Sequence, residues 1–167
     1  MPLNAAIALE HKLDRKVQSL LRQPAAELYF APSGKTVTYT EALSNKILLV
    51  QLIRNGLPYS FFELVQDYAP LTEADWTDIL DLSAKTLSRY KQEAKTFKPI
   101  HSEKILEMAE VTTTGLRVFG EMEKLKHWLD TPSFALGNIK PMDLLRDSYG
   151  KDLVLAELTR INHGILA

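Results

Sequence analysis

Three helix-start signatures fall within 24 residues of this chain, and they confine its middle to short, closely connected helices. Ser60-Phe-Phe-Glu63 reads as a capping box, in which the serine hydroxyl and the glutamate carboxylate each satisfy an orphan backbone N–H. Thr72-Glu-Ala-Asp75 repeats the arrangement with aspartate, and Ser83-Ala-Lys-Thr86 begins a third helix. Apolar pairs stand at the staple positions of all three: Tyr59 with Leu64, Leu71 with Trp76, and Leu82 with Leu87. Upstream, Thr40 as an N-cap and Gly56 beyond the C-terminus bracket a helix over 41–54. Helices over 73–80 and 84–95 are then separated only by Asp81-Leu82-Ser83. A connection of three residues has the helix-turn-helix length, although an αα-hairpin that merely closes a core fits the spacing as well.

Charge separates these readings better than spacing does. Lys and Arg total 20 against 21 Asp and Glu, so the net charge of -1 is not that of a strongly basic nucleic-acid binder. The total hides a cancellation. Residues 60–82 carry six acids and no base, whereas 83–98 carry Lys85, Arg89, Lys91, Lys95 and Lys98 against Glu93 alone. If helix 84–95 enters a groove, Ser83, Lys85, Thr86, Ser88, Arg89 and Lys91 are the side chains expected to meet DNA, with Leu87 and Tyr90 holding the helix to the core. The acids must then face away from phosphate. On helix 73–80 a core stripe of Trp76, Ile79 and Leu80 leaves Asp75 and Asp78 outward; such a face serves equally as a solvated surface or as a match for a basic partner.

Catalytic signatures are missing. There is no cysteine, which excludes disulfides, thiolate metal sites and a cysteine nucleophile, and fits a reducing, cytoplasmic setting. His11, His101, His127 and His163 are too far apart to share a helix face as metal ligands. No glycines form a phosphate loop or dinucleotide fingerprint, and no serine sits in a nucleophile elbow. The expectation is a non-enzyme without metal or cofactor. No apolar run approaches the roughly 20 residues that span a bilayer, and charges interrupt residues 1–21, so neither membrane nor secretion is expected.

The remaining segments read locally. Residues 3–22 look helical, and Tyr29-Phe30, the turn Pro32-Ser33-Gly34 and Val37-Thr38-Tyr39 could form a small hairpin. A long helix runs from about Ser102 to Phe119, closed by Gly120, with Thr112-Thr113-Thr114-Gly115 as a stretch where it should bend or weaken. Trp128 and Leu129 lie on a short helix terminated by Thr131-Pro132, and Pro141 suits a first helical position. Segment 151–162 is read with Leu153, Val154, Leu158 and Ile161 on one face. Core packing is the plain role for these residues, and most strongly for Phe119 and Trp128.

Leu82-Ser-Ala-Lys-Thr-Leu-Ser-Arg89 resembles the recognition helix of Xre-type antitoxins. Further on, Val118-Phe119-Gly120, Trp128-Leu-Asp-Thr-Pro132, Ala135-Leu-Gly137, Pro141-Met-Asp-Leu-Leu145, Gly150 with Val154, Leu158, Arg160-Ile161 and His163-Gly164 follow the order and spacing of the MbcA/ParS/Xre antitoxin domain. The two stretches cover about 45–167. Lys104, where many relatives have arginine, and Gly115 depart from the pattern, and the first 40 residues have no counterpart.

The resemblance implies an all-α chain, with at most a small N-terminal hairpin: an extension over 1–40, a helix-turn-helix domain over 41–98 and a compact helical toxin-binding domain over 99–167. It implies the antitoxin of a type II toxin-antitoxin system, pairing with a RES-domain toxin that degrades NAD, occluding that toxin's active site, and binding its own operator as a homodimer. Arg160, Asn162, His163, Gly164, Ile165, Leu166 and Ala167 are the residues it assigns to the toxin. A frayed terminus is the plain alternative for that tail. For the whole chain, the alternative is a transcriptional regulator whose C-terminal domain only dimerises.

Overall fold

The computed structural model describes residues 3–21 and 36–164, with side chains from Ala8 onward. Its described residues form ten α-helices, one 3-10 turn and no strand; β pairing among them is confined to the isolated bridges Pro58 to Thr96 and Ser133 to Ile139. The all-α expectation therefore holds. Residues 29–34 of the expected hairpin lie outside the described residues, and Tyr39 is the first residue of a helix, not part of a strand.

Over these residues the chain divides into two compact units. One comprises 69–87 with 107–164, and the other comprises the described residues up to 68 with 88–106.

In the second unit, α1 (Leu3–Leu21) packs on α2 (Tyr39–Ser44) and α4 (Tyr59–Tyr68). Asp14 anchors the start of α2 by accepting the Tyr39 backbone N–H at 2.7 Å. The single helix expected over 41–54 is two helices, because Asn45 breaks it. Thr38, not Thr40, caps α2 in a box with Glu41. Asn45 is extended, and its side chain caps α3 (Lys46–Asn55) through the Ile47 and Leu48 N–H groups. Asparagine's short amide competes with the helix backbone in this way, which is why it favours caps over helix interiors. Gly56 ends α3 at φ +77, and a Cβ there would also strike Thr96 and the Phe97 carbonyl.

The Ser60-Glu63 capping box does not form. Pro58 has already begun the helix, accepting the Phe61 and Phe62 N–H groups through its carbonyl, so Ser60 lies inside α4. Segments 57–59 and 95–97 are stitched by Phe97 N–H to Leu57 O at 2.8 Å and Tyr59 N–H to Lys95 O at 2.9 Å. Ser102 is fully buried because it completes that stitch, accepting the Leu57 N–H at 2.9 Å and donating to the Phe97 carbonyl. The aromatic core has two groups, Tyr39 with Phe61 and Tyr68, and Phe97 with Tyr59, Phe62 and Tyr90. Burial, aided by the charge of Glu10, pushes the Tyr68 hydroxyl up to about 12.

In the first unit, α5 (Glu73–Leu80) matches its expected range, with the Thr72–Asp75 box formed and Trp76, Ile79 and Leu80 buried. The long helix α7 (Pro99–Phe119), of which only 107–119 belong to this unit, starts three residues earlier than expected and runs unbroken through Thr112-Thr113-Thr114-Gly115. Packing overrides the poor propensity: a Cβ on Gly115 would overlap the Leu125 side chain of α8 (Met122–Leu129), so the glycine admits a neighbouring helix. Phe119 and Trp128 are only half-buried, with ring centroids 5.7 Å apart, not the core residues expected. Buried Leu125 and Leu129 define the inward face of α8, and Trp128 lies about 80° round the helix from their midpoint.

A 3-10 turn (Phe134–Leu136) and α9 (Pro141–Leu144, with Pro141 at its first position) both contact α10 (Ser148–Asn162). Asp147 caps α10 through the Gly150 N–H at 2.7 Å. Val154 and Leu158 are fully buried, but Leu153 is 55% exposed, against expectation. At 100° per residue, Val154, Leu158 and Ile161 cluster within about 60°, while Leu153 lies at least about 80° from all three.

Candidate functional site: the α6 helix and the C-terminal helix

The turn between α5 and α6 (Ala84–Gln92) is the three residues 81–83. It is tight because Asp81 adopts the left-handed conformation at φ +50, so that Leu82 N–H reaches Thr77 O and Asp81 N–H reaches Asp78 O. That is a Schellman closure with aspartate where glycine is commoner. Ser83 then caps α6, its hydroxyl accepting the Thr86 N–H at 3.1 Å and sharing a hydrogen bond with the Thr86 hydroxyl.

Helix α6 stops at Gln92, three residues before its expected end. A second Schellman closure ends it, with Ala94 at φ +47, Ala94 N–H on Lys91 O and Lys95 N–H on Tyr90 O. No glycine marks that stop in the sequence, so the local pattern carries the helix on to 95.

Leu87 is the buried residue of α6, and half-buried Tyr90 stacks on Phe97 at 4.7 Å. Ser83, Lys85, Ser88, Arg89 and Lys91 are exposed and Thr86 is half-buried; at 100° per residue Lys85, Ser88 and Arg89 lie opposite Leu87 and Tyr90, while Thr86 and Lys91 stand on the two flanks. Lys91 differs from the others: its ammonium lies 2.8 Å from Glu63, whose hydrogen bond and charge raise its pKa. One acid of the 60–82 block thus faces the basic helix, not away from it. An exposed pair of this kind costs little to break.

Arg146 has no sequence signal for this neighbourhood, yet it pairs with Asp78 at 3.1 Å. Beside that pair, a cavity of about 530 Å³ opens at the turn, with Ser83 and Ala84 on its wall.

At the far end of the chain, α10 carries Arg160 with its guanidinium 3.0 Å from buried Glu157. Lys151 is buried near the start of the same helix, 2.8 Å from Asp152 and 3.7 Å from Glu110. Burial alone would depress its pKa, but the Asp152 hydrogen bond and the surrounding carboxylates raise it. Asn162 and His163 are exposed, and Gly164 at φ +70 closes the helix end with its N–H on Ile161 O. Ile165, Leu166 and Ala167 lie outside the described residues. Among the described residues there is no group of His, Asp or Glu able to hold a metal, and no helix is long and apolar enough to cross a membrane.

A helix-turn-helix element, α5 to α6, is followed along the chain by α7 to α10. Residues 48–110 match the family described as the antitoxin Xre-like helix-turn-helix domain, and 114–164 match the antitoxin Xre/MbcA/ParS C-terminal toxin-binding domain. The chain belongs to the MbcA/ParS/Xre antitoxin family, and its role is that of the antitoxin of a toxin-antitoxin pair. It is 23% identical to the antitoxin Xre of Photorhabdus laumondii over 145 residues, spanning 86% of this chain and 97% of that protein. Its fold is similar to a chain in the crystal structure of the M. tuberculosis MbcT-MbcA toxin-antitoxin complex. That likeness has a TM-score of 0.54 and 23% identity, and covers 65% of this chain and 96% of the other.

Proposed function

We propose that this chain neutralises a RES-domain, NAD-degrading toxin by seating its C-terminal region in the toxin's active-site cleft. It further regulates its own operon by binding DNA through α6 as a homodimer. It acts in the cytoplasm by binding alone, without catalysis or cofactor. The reading assigns 41–98 to DNA and 99–167 to the toxin. The observation that carries it is the toxin-binding match over 114–164, within which α10 ends at exposed Asn162 and His163 and at the left-handed Gly164. Arg160, Asn162, His163 and Gly164, continuing into Ile165, Leu166 and Ala167, form the occluding segment.

Ending the chain after Asn162 removes no buried side chain among the described residues, so the fold should persist while protection of toxin-expressing cells falls sharply. Full protection by the shortened chain contradicts occlusion by the tail.

The DNA arm is tested on its own. Lys85→Ala and Arg89→Ala should each lower operator affinity and flatten its dependence on salt, because each removes a cation that displaces counterions from phosphate. Both side chains are exposed, so thermal stability should stay within about 0.5 kcal/mol of the parent. Unchanged affinity in both variants rejects α6 as the DNA-contacting helix.

A further inference from the structure

Helix α1 sorts its charges by side. At 100° per residue, Lys12, Arg15 and Lys16 lie within about 100° of arc, while Glu10 and Asp14 stand at least about 100° from each of them. Leu13, Val17, Leu20 and Leu21 form the buried side. Both acids are half-buried, and Asp14 is committed to the Tyr39 backbone N–H at the start of α2. The cations point away from that side. Lys12 and Arg15 are exposed and Lys16 is half-buried, and among the described residues no carboxylate is within ion-pair distance of the three.

Lys12, Arg15 and Lys16 share the wall of a hollow of about 320 Å³ with Leu64 of α4. The residue before Leu64 is Glu63, whose carboxylate lies 2.8 Å from Lys91. Lys91 therefore stands on the flank of α6 that faces α4, and two consecutive side chains of α4 connect that flank to the basic side of α1. All of these residues belong to one compact unit. The acids in between are Glu63 and Asp67, and four cations against two acids leave the band positive.

We propose that the basic side of α1 is a second DNA contact, which holds the phosphate backbone beside the groove that α6 enters. The occupant is argued from charge. Lys and Arg side chains on a helix that lies against its own domain bind a polyanion by displacing its counterions, and such phosphate contacts position a protein on the duplex without reading its sequence. Residues 12–16 lie outside both the 48–110 and the 114–164 family matches, so neither match gives them a role. The proposal rests on the DNA reading above and adds to it an arm that is indifferent to sequence.

The test is a fluorescence anisotropy titration of two labelled duplexes of equal length, the promoter segment upstream of this gene and a shuffled sequence, over a range of salt concentrations. The full-length chain is compared with the Lys12→Gln/Arg15→Gln/Lys16→Gln triple variant and with Lys12→Arg/Lys16→Arg, which keeps the charge. The triple variant should keep its helical circular dichroism, lose about tenfold or more in affinity for both duplexes alike, and flatten the log–log salt slope by about 2–3 per bound chain. The charge-keeping variant should bind within about threefold of the parent. Parent-like affinity and slope in the triple variant overturn the proposal and leave α6 as the DNA-contacting helix; failure of the parent chain to bind either duplex overturns the DNA reading itself. A loss shared by the charge-keeping variant, or confined to the promoter duplex, makes α1 a scaffold for the domain and contradicts the proposal. Should the triple variant bind DNA like the parent but bind a catalytically inactive toxin more weakly, the basic side of α1 fits an acidic protein surface and the proposal is wrong.

Discussion

Trp76→Ala is expected to cost about 3–5 kcal/mol of folding stability, the range for truncating a large buried aromatic. The indole is fully buried on α5, in a stripe with Ile79 and Leu80. Removing it leaves a void beside Ile79 and Leu80, the other buried residues of α5. For a chain of this length, that loss lowers the melting temperature by roughly 10 °C. Urea denaturation followed by circular dichroism measures it. A loss below about 1 kcal/mol would mean that α5 is not anchored as described. Because α5 is the helix preceding the turn, operator binding should fall with stability, unlike in Lys85→Ala, where it falls alone.

The second large effect has a counterintuitive sign. Glycine inside a helix is usually improved by alanine, by about 1 kcal/mol. Gly150→Ala should instead destabilise by about 1–3 kcal/mol, since the new Cβ would overlap the backbone carbonyl of Leu144, which cannot rotate aside as a side chain could. Moving α10 away from α9 would disturb both the helix that presents Tyr149 and Leu153 and the loop that leans on it. Urea denaturation again gives the measurement. A gain in stability would show that the close approach of α10 to Leu144 is relaxed in solution.

Much of the fold is legible before any coordinates, where a local chemical rule acts alone. Thr72–Asp75 and Ser83–Thr86 cap as written, Gly56 and Gly120 end helices at positive φ, and Pro141 starts one. The failures share a cause, which is competition between signals. Pro58 pre-empts the Ser60 box, Asn45 splits what reads as one helix over 41–54, and Ala94 closes α6 without the glycine that would announce it. Gly115 misleads in the other direction, because its reason is a neighbouring helix and not the local chain.

The candidate sites were legible in part. The exposed cations of α6 follow from the reversal of charge at residue 83, but the Lys91–Glu63 pair and the Arg146–Asp78 pair depend on which helices meet, which spacing does not encode. The apolar side of α10 was concealed for a different reason. Apolar residues at helical spacing read as core by default, which places Leu153 in the interior although its angle sets it with Tyr149.

The central proposal is that this chain silences its partner toxin by physically filling the toxin's cleft. It is tested most directly by following NAD consumption by the purified RES-domain toxin as the full-length chain, or the chain ending at Asn162, is titrated in. The account predicts stoichiometric inhibition by the full-length chain and residual NAD consumption at saturation with the shortened one. Unimpaired NAD consumption in the presence of saturating full-length chain would contradict it.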